Sequence, residues 1–541
     1  MLMKSNFGQL FLLLAAVSLA ACGGGGSSSN TDDAQDTSGG SNTENTALPV
    51  AWTRNVFTDE STFKNRCENP RSGQDTNGDS YEDIAGTSLD EKNWLRSWSN
   101  NTYLWYDEIE DQDPSDFGTP QSYFDLLRTF QTTNSGQLRD RFHGWQSTED
   151  YNASASGSAG VGYGVSLSVE TTDTRVIRVR YVEPNSPAAA ANIKRGTQFI
   201  FADGEDVRTS FNTDALINSF FPSEVGEEHT FVVRDNGSTV NRSFVLTSDV
   251  ITEVPVHNTR VIETDTGKVG YLTFNTFGSF TAEKALYDAF TTLQDEEVSD
   301  LVIDLRYNGG GYLLTSAQLG YMVAGSERTE NQIFTKLAYN DKHPEFSPIT
   351  GDPIAVYPFI DLSIGFSVEQ GMSLPSVSLD RVFILSSENT CSASESLING
   401  LRGVGVEVVL IGDTTCGKPY GFTPTDNCGT TYFTVQFRGE NQSGFGDYAD
   451  GFSPSNVTGI VGESISGCQV EDDLDQDLGN AQEGLLKAAL DYRKTGSCPS
   501  VLARPTSDSA YNAELDLLND PRLIQRKFLK EMTLHTDFNL Q

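Results

Sequence analysis

Between residues 268 and 411 the chain repeats one alternation, in which a short apolar run is followed by residues with helical spacing. Lys268-Val269-Gly270-Tyr271-Leu272-Thr273-Phe274 reads as a strand, 282–293 as an amphipathic helix, and Leu301-Val302-Ile303-Asp304-Leu305 as a buried strand. Two more apolar runs, 381–386 and 406–411, flank a predicted helix over 396–401. Strands that are apolar on both faces belong to parallel sheets covered on each side. The pattern therefore predicts an α/β core of β-α-β units over 251–500. Ahead of it, 157–250 changes character: a glycine-rich opening leads into the alternating stretches 165–169 and 176–179, which read as strands. Residues 89–109 and 123–130 have helical spacing and predict a small helical unit over 51–156, while 472–491 predicts one closing helix. Residues 501–541 form a polar tail. The fold class is α/β and β multidomain.

Length fits this division, because 541 residues exceed what one hydrophobic core sustains. The balance of 37 Lys and Arg against 75 Asp and Glu gives a formal charge of -38, which excludes a broad phosphate-binding surface and makes nucleic acid a poor partner.

The first residues are an export signal. Lys4 precedes the apolar stretch 10–17, too short for a permanent span, and small residues lead to Leu19-Ala20-Ala21-Cys22. That ending resembles the lipobox of bacterial lipoproteins, which implies removal of 1–21, lipid attachment at Cys22, and residence at the bacterial cell envelope. With Gly after the Cys, the resemblance favours the outer membrane, facing the periplasm or the cell surface. The Gly/Ser-rich, polar stretch 22–50 is then a flexible tether. Apart from Cys22, six cysteines remain at 67, 391, 416, 428, 468 and 498, an even number that suggests disulfides in an exported chain. Proximity along the chain suggests Cys416 with Cys428 and Cys468 with Cys498, with connectivity open. Residues Asp75 to Asp83 alternate oxygen side chains as a calcium loop does, but Ser80 and Gly86 stand where Gly and Glu belong, and an acidic turn is the simpler reading. No zinc pattern occurs and no metal site is assigned.

Three segments of the core carry candidate chemistry. Leu305 leads into Arg306-Tyr307-Asn308-Gly309-Gly310-Gly311, whose glycines let backbone N–H groups approach a ligand. The strand 381–386 is followed by Thr390-Cys391-Ser392-Ala393-Ser394-Glu395, where a Ser in a strand-to-helix turn meets the positive end of a helix dipole. The strand 406–411 runs into Gly412-Asp413-Thr414-Thr415-Cys416-Gly417-Lys418, where burial suits a Lys to act as a base.

Together these segments resemble the carboxy-terminal processing, or tail-specific, proteases, Ser-Lys peptidases whose motifs are Asp-Leu-Arg-x-Asn-x-Gly-Gly, Ser-Ala-Ser-Glu and Gly-x-x-x-x-Gly-Lys. The resemblance implies Ser392 as nucleophile, Lys418 as general base, the N–H groups of Gly310 and Ala393 as oxyanion hole, and no metal or cofactor. Asp450-Gly451-Phe452-Ser453-Pro454 fits the Gly-x-x-Pro strand of the family. The β-rich unit resembles a PDZ domain, with Gly160-Val161-Gly162-Tyr163-Gly164 before a strand, Ser186-Pro187-Ala188 opening a helix and Asp203-Gly204 in a turn. That implies capture of a peptide, through its C-terminus, at Gly160, Val161, Gly162 and Tyr163. Two positions depart from the family: Phe422 stands where many members have a Gln that orients the Lys, and Gly403 where some have an acidic residue. The competing reading is a surface lipoprotein that binds peptide or apolar ligand without cutting. A Ser-His-Asp hydrolase finds little support in five scattered His, of which only His143 has an aromatic setting, and neither Cys391 nor Cys416 has an obvious His partner.

Overall fold

The computed structural model describes residues 51–74, 78–155, 158–171, 173–457 and 459–499. The signal segment, Cys22 and the tether, the tail and Asp75 to Asn77 of the calcium-like loop lie outside the described residues. Of that loop's other carboxylates, Asp83 is held by Arg71 at 2.9 and 2.8 Å and Glu82 accepts Asn65 Nδ2. Among the described residues no helix is long and apolar enough to cross a membrane.

The core is a six-stranded sheet whose strands lie side by side in chain order: Val256–Thr264, Gly267–Phe274, Asp300–Asp304, Arg381–Ser386, Glu407–Gly412 and Gly467–Gln469. The first pair is antiparallel and every later pair parallel. When parallel strands advance in one direction, right-handed crossovers put all their helices on one face. Thr281–Asp295, Leu313–Thr329 and Ala393–Gly403 accordingly bury Leu286, Phe290, Leu319, Leu397 and Leu401 with Leu272, Ile303 and Ile384 of the strands. Alternate strand residues, Tyr271, Val302, Phe383 and Val409, point to the other face and pack under the helix Gly484–Thr495. The predicted strands and the helix over 282–293 stand close to where the pattern put them.

Three expectations change. The helix begun at Ser88 ends at Thr102, because Tyr103 turns extended, its hydroxyl donates to Asp140 at 2.6 Å, and Leu104 N–H donates to Val435 O. The apolar stretch from Tyr123 is helical only over Pro120–Phe124; Phe124 O accepts Leu127 N–H at 2.8 Å in a tighter turn and is shared with His143 Nε2 at 2.8 Å. The stretch 472–491 is helical only from Gly484, because Asp472 is drawn away to two arginines and Glu483 caps the helix by accepting Leu486 N–H.

The helical unit shares its core with the sheet domain. Trp94 and Trp98 stack at 5.0 Å beside Phe124 and Tyr432, the strand Gly144–Ser147 pairs with Thr430–Phe433, and Cys67 is bonded to Cys428. The β-rich unit has its own five-strand path, in the order Asn241–Thr247, Glu228–Arg234, Gln198–Ala202, Arg175–Val182 and Val165–Thr171, with Phe199, Phe220 and Phe231 packed edge to face at its centre.

An ionic cluster, buried except at Asp472, ties this unit to the sheet. Arg306, 1% exposed, donates to Asp304 at 2.9 and 2.8 Å, to Glu483 at 2.6 and 3.0 Å and to Asp472 at 2.7 Å. Arg195, from the β-rich unit, donates to the same Asp472 and to Tyr307 Oη, both at 2.6 Å.

Burial works against ionisation of Asp472, but Arg306 and Arg195 beside its oxygens hold its carboxyl down to about 2 from 3.8. A carboxyl depressed by folding contributes stability above its unfolded value and loses it as pH falls toward its folded one. Asp472→Asn is therefore expected to lower stability at pH 7 by about 1 kcal/mol, since solvent at this exposed residue screens the pairing, with the deficit closing between pH 3.8 and about 2. Arg306→Met leaves Asp304 and Glu483 buried without a counter-charge and is expected to cost about 3–5 kcal/mol. Urea midpoints followed by tryptophan fluorescence at several pH values check both.

Candidate active site

Loops 305–311, 387–392 and 413–418 leave the carboxyl ends of three neighbouring parallel strands. Ligands of open α/β sheets gather at such ends, and Gly310, Ser392, Ala393 and Lys418 are all brought there. Hydrogen bonds lace the loops. Cys391 N–H and Ser394 Oγ both donate to Asn308 O at 3.1 Å, and Cys416 N–H donates to Thr390 O at 3.0 Å.

Ser392 occupies the turn into the helix Ala393–Gly403 with φ 56° and ψ -113°. These are the values of the first central residue of a type II′ turn, where glycine is the usual occupant. Holding a Ser there costs on the order of 1–3 kcal/mol, and such outliers cluster at functional sites. Its Oγ is buried and has no hydrogen-bond partner among the described residues. Gly310 presses against it: a Cβ on Gly310 would lie 2.7 Å from Ser392 Cβ and 3.0 Å from Ala393 N, so only glycine passes this close. The N–H of Ala393, the first helical residue, lies at the positive end of the helix dipole. That of Gly310 donates to Asn308 Oδ1 at 2.9 Å.

Lys418 is 1% exposed. Its Nζ lies 5.1 Å from the ring centroid of Phe142 and 4.8 Å from that of Phe422. The position that departs from the family pattern thus puts an aromatic face, in place of an amide, beside the amine. Arg141, next to Phe142, donates to Cys416 O, so the helical unit reaches into the site. Two residues beyond Lys418, Tyr420 lines a cleft of about 590 Å³ together with Trp105, Arg139, Tyr339, Arg438 and Tyr448.

Glu395 joins the parts. It is fully buried, and one carboxylate oxygen accepts both Ser392 N–H at 3.0 Å and Lys418 N–H at 2.8 Å. The other accepts Gly417 N–H at 2.8 Å and Thr415 Oγ1 at 2.5 Å. Burial pushes its carboxyl above the ordinary range, against the donors that favour its charge. The motif Ser-Ala-Ser-Glu contains Glu395 without by itself pointing to this role. The available signal was the Ser-x-x-Glu spacing of a capping box, which turns a Glu side chain back on the start of its own helix. Nothing in the local sequence pointed to Phe142.

The cysteine pairing differs from the expectation for Cys416, which is bonded to Cys391, while Cys428 is bonded to Cys67. Pairing follows the adjacency of strand ends rather than separation along the chain; Cys468 and Cys498 are joined as expected. Cys391, Glu395 and Cys416 also gather closely enough to suggest a metal, but both sulfurs are spent on the disulfide.

The other predicted positions lie elsewhere. Gly160, Val161 and Gly162 belong to the strand Ser158–Gly162, antiparallel to Asp249–Thr252, and Tyr163 is buried with its hydroxyl donating to Ser219 O at 3.1 Å. His143 is a core residue, stacked 3.9 Å from Phe124, and burial pushes it down to about 4.

Comparison with known proteins agrees with this architecture. Residues 268–435 match peptidase family S41 and residues 90–142 match the peptidase S41 N-terminal domain. The chain is 26% identical over 260 residues to carboxy-terminal processing protease CtpB of Bacillus subtilis (strain 168), a match covering 47% of this chain and 46% of that relative, so it spans about half the length of CtpB. A crystal structure from Bacteroides fragilis NCTC 9343, described as that of an S41 protease, is similar in fold, with a TM-score of 0.56 and 23% identity over 75% of this chain and 97% of that one. The chain therefore carries peptidase family S41 domains, the N-terminal domain of that family at 90–142 and the family's core at 268–435.

Proposed function

We propose that this chain is a lipid-anchored serine endopeptidase of the C-terminal processing type, acting on unfolded or tail-exposed proteins at the bacterial cell envelope. The observation that carries the reading is the shared bond to Glu395: one buried carboxylate oxygen takes the backbone N–H of both Ser392 and Lys418. A nucleophile and a base on two separate loops are of use only if their spacing is held, and this bond holds it.

In the proposed reaction the uncharged amine of Lys418 takes the proton of Ser392 Oγ as the oxygen attacks a peptide carbonyl. The ammonium returns that proton to the leaving amine, and water then hydrolyses the acyl-enzyme. The N–H of Ala393 receives the developing oxyanion, joined by the N–H of Gly310 once it leaves Asn308 Oδ1. The β-rich unit, in its resemblance to a PDZ domain, takes the substrate's C-terminal segment at Gly160, Val161, Gly162 and Tyr163. Lipid on Cys22 supplies the anchor.

The non-catalytic reading, a surface lipoprotein that binds without cutting, draws on one observation. The faces of Phe142 and Phe422 beside Lys418 Nζ suit an ammonium ion, whereas the base must be an amine.

Cleavage of an unfolded protein by the full chain, read by mass spectrometry of the fragments, separates the two. Wild type is expected to cut and Ser392→Ala and Lys418→Ala to leave the substrate intact; a wild type as inert as both variants favours binding alone. Glu395→Gln keeps the size of the side chain but turns an amide toward donors. It is expected to lower kcat by about 10²-fold with KM changed far less, the loss that follows a displacement of roughly 1 Å. An unchanged kcat would remove Glu395 from the account.

A further inference from the structure

We propose that the Cys391–Cys416 disulfide is a positioning element of the Ser392 and Lys418 chemistry, so that hydrolysis depends on this bond staying oxidised; the inference rests on the peptidase reading above. The placement carries it. Cys391 immediately precedes Ser392, and Cys416 stands two residues before Lys418, so the bond crosses between the two loops that present the reacting groups. Among the described disulfides it alone joins those loops: Cys67 to Cys428 ties the helical unit to the sheet domain, and Cys468 to Cys498 ties the last strand to the end of the closing helix.

Other ties between the two loops include the four hydrogen bonds to Glu395 and that from Cys416 N–H to Thr390 O. Ser392 is held meanwhile in a backbone conformation that it would leave if released. A covalent link one residue away resists that relaxation. Cys391 is fully buried and Cys416 only partly so, which makes Cys416 the more accessible of the two residues to a thiolate.

The reduction balances with a dithiol as co-reactant. One thiolate of the dithiol attacks Cys416 Sγ, the Cys391–Cys416 bond breaks, and Cys391 leaves as a thiolate that takes a proton. The second thiolate of the dithiol then displaces Cys416, which is likewise protonated, and the dithiol departs as a disulfide carrying away two electrons fewer.

The test uses the full chain and a cysteine-free unfolded protein as substrate, with dithiothreitol as the dithiol. Reduction is expected to lower kcat at least about tenfold while KM stays within about twofold, and reoxidation to restore it. The variant Cys391→Ala/Cys416→Ala should show the low kcat permanently and no further response to dithiothreitol, with its urea midpoint checking that it folds. Where that variant does not fold, alkylation and peptide mapping of the wild type during a dithiothreitol titration replace it, and activity should fall in step with reduction of Cys391–Cys416 rather than of the other two bonds. Activity that ignores reduction of this bond, a loss confined to KM, or a double variant with full kcat overturns the proposal. Failure of the peptidase reading looks different: oxidised wild type then cuts no better than Ser392→Ala, and the positioning role falls with it.

Discussion

The geometry of the candidate site depends on placing one charge out of reach of bulk solvent. Glu395 is fully buried, and its carboxylate is tolerable there only because four donors converge on it, three backbone N–H groups and a threonine hydroxyl. Those donors come from two loops that the sequence separates by more than twenty residues. The requirement that a buried charge be satisfied thus becomes a requirement that the Ser392 loop and the Lys418 loop keep one arrangement.

A second ionic cluster, buried around Arg306, does the same on a larger scale. Arg306 gathers Asp304, Asp472 and Glu483, and Asp472 also receives Arg195 from the β-rich unit. The arginine lies four residues before Gly310, so the loop that passes Ser392 is anchored at its root by charge and at its tip by the close approach of glycine. Between these clusters the parallel sheet does the coarse work of aligning three strand ends. Polar satisfaction does the fine work.

The α/β core was legible because parallel strands buried on both faces leave continuous apolar runs, and 268–274, 301–305 and 381–386 each carry that mark. The three motif segments were legible too, because glycines and a Ser at strand ends have few other uses in combination. Tertiary competition hid the rest. Tyr103 and Asp472 look helical by spacing, yet each gives up helix to a partner distant in sequence: Val435 beside Tyr103, and Arg306 and Arg195 at Asp472. The pairing of Cys391 with Cys416 was hidden for the same reason, since strand order decides which loops meet. Glu395 left a local trace in its spacing from Ser392, but its bonds to Gly417 and Lys418 depend on a loop that only the fold brings near.

The central claim is that Ser392 is a nucleophile because Lys418 serves it. The most direct measurement is the rate at which a fluorophosphonate reacts with the full chain, read as an intact-mass adduct and mapped to its residue, in wild type and in Lys418→Ala. The account predicts a single adduct on Ser392 in the wild type and reaction slower by orders of magnitude without the amine. An unlabelled Ser392 in wild type, or equal rates in the two proteins, would contradict it.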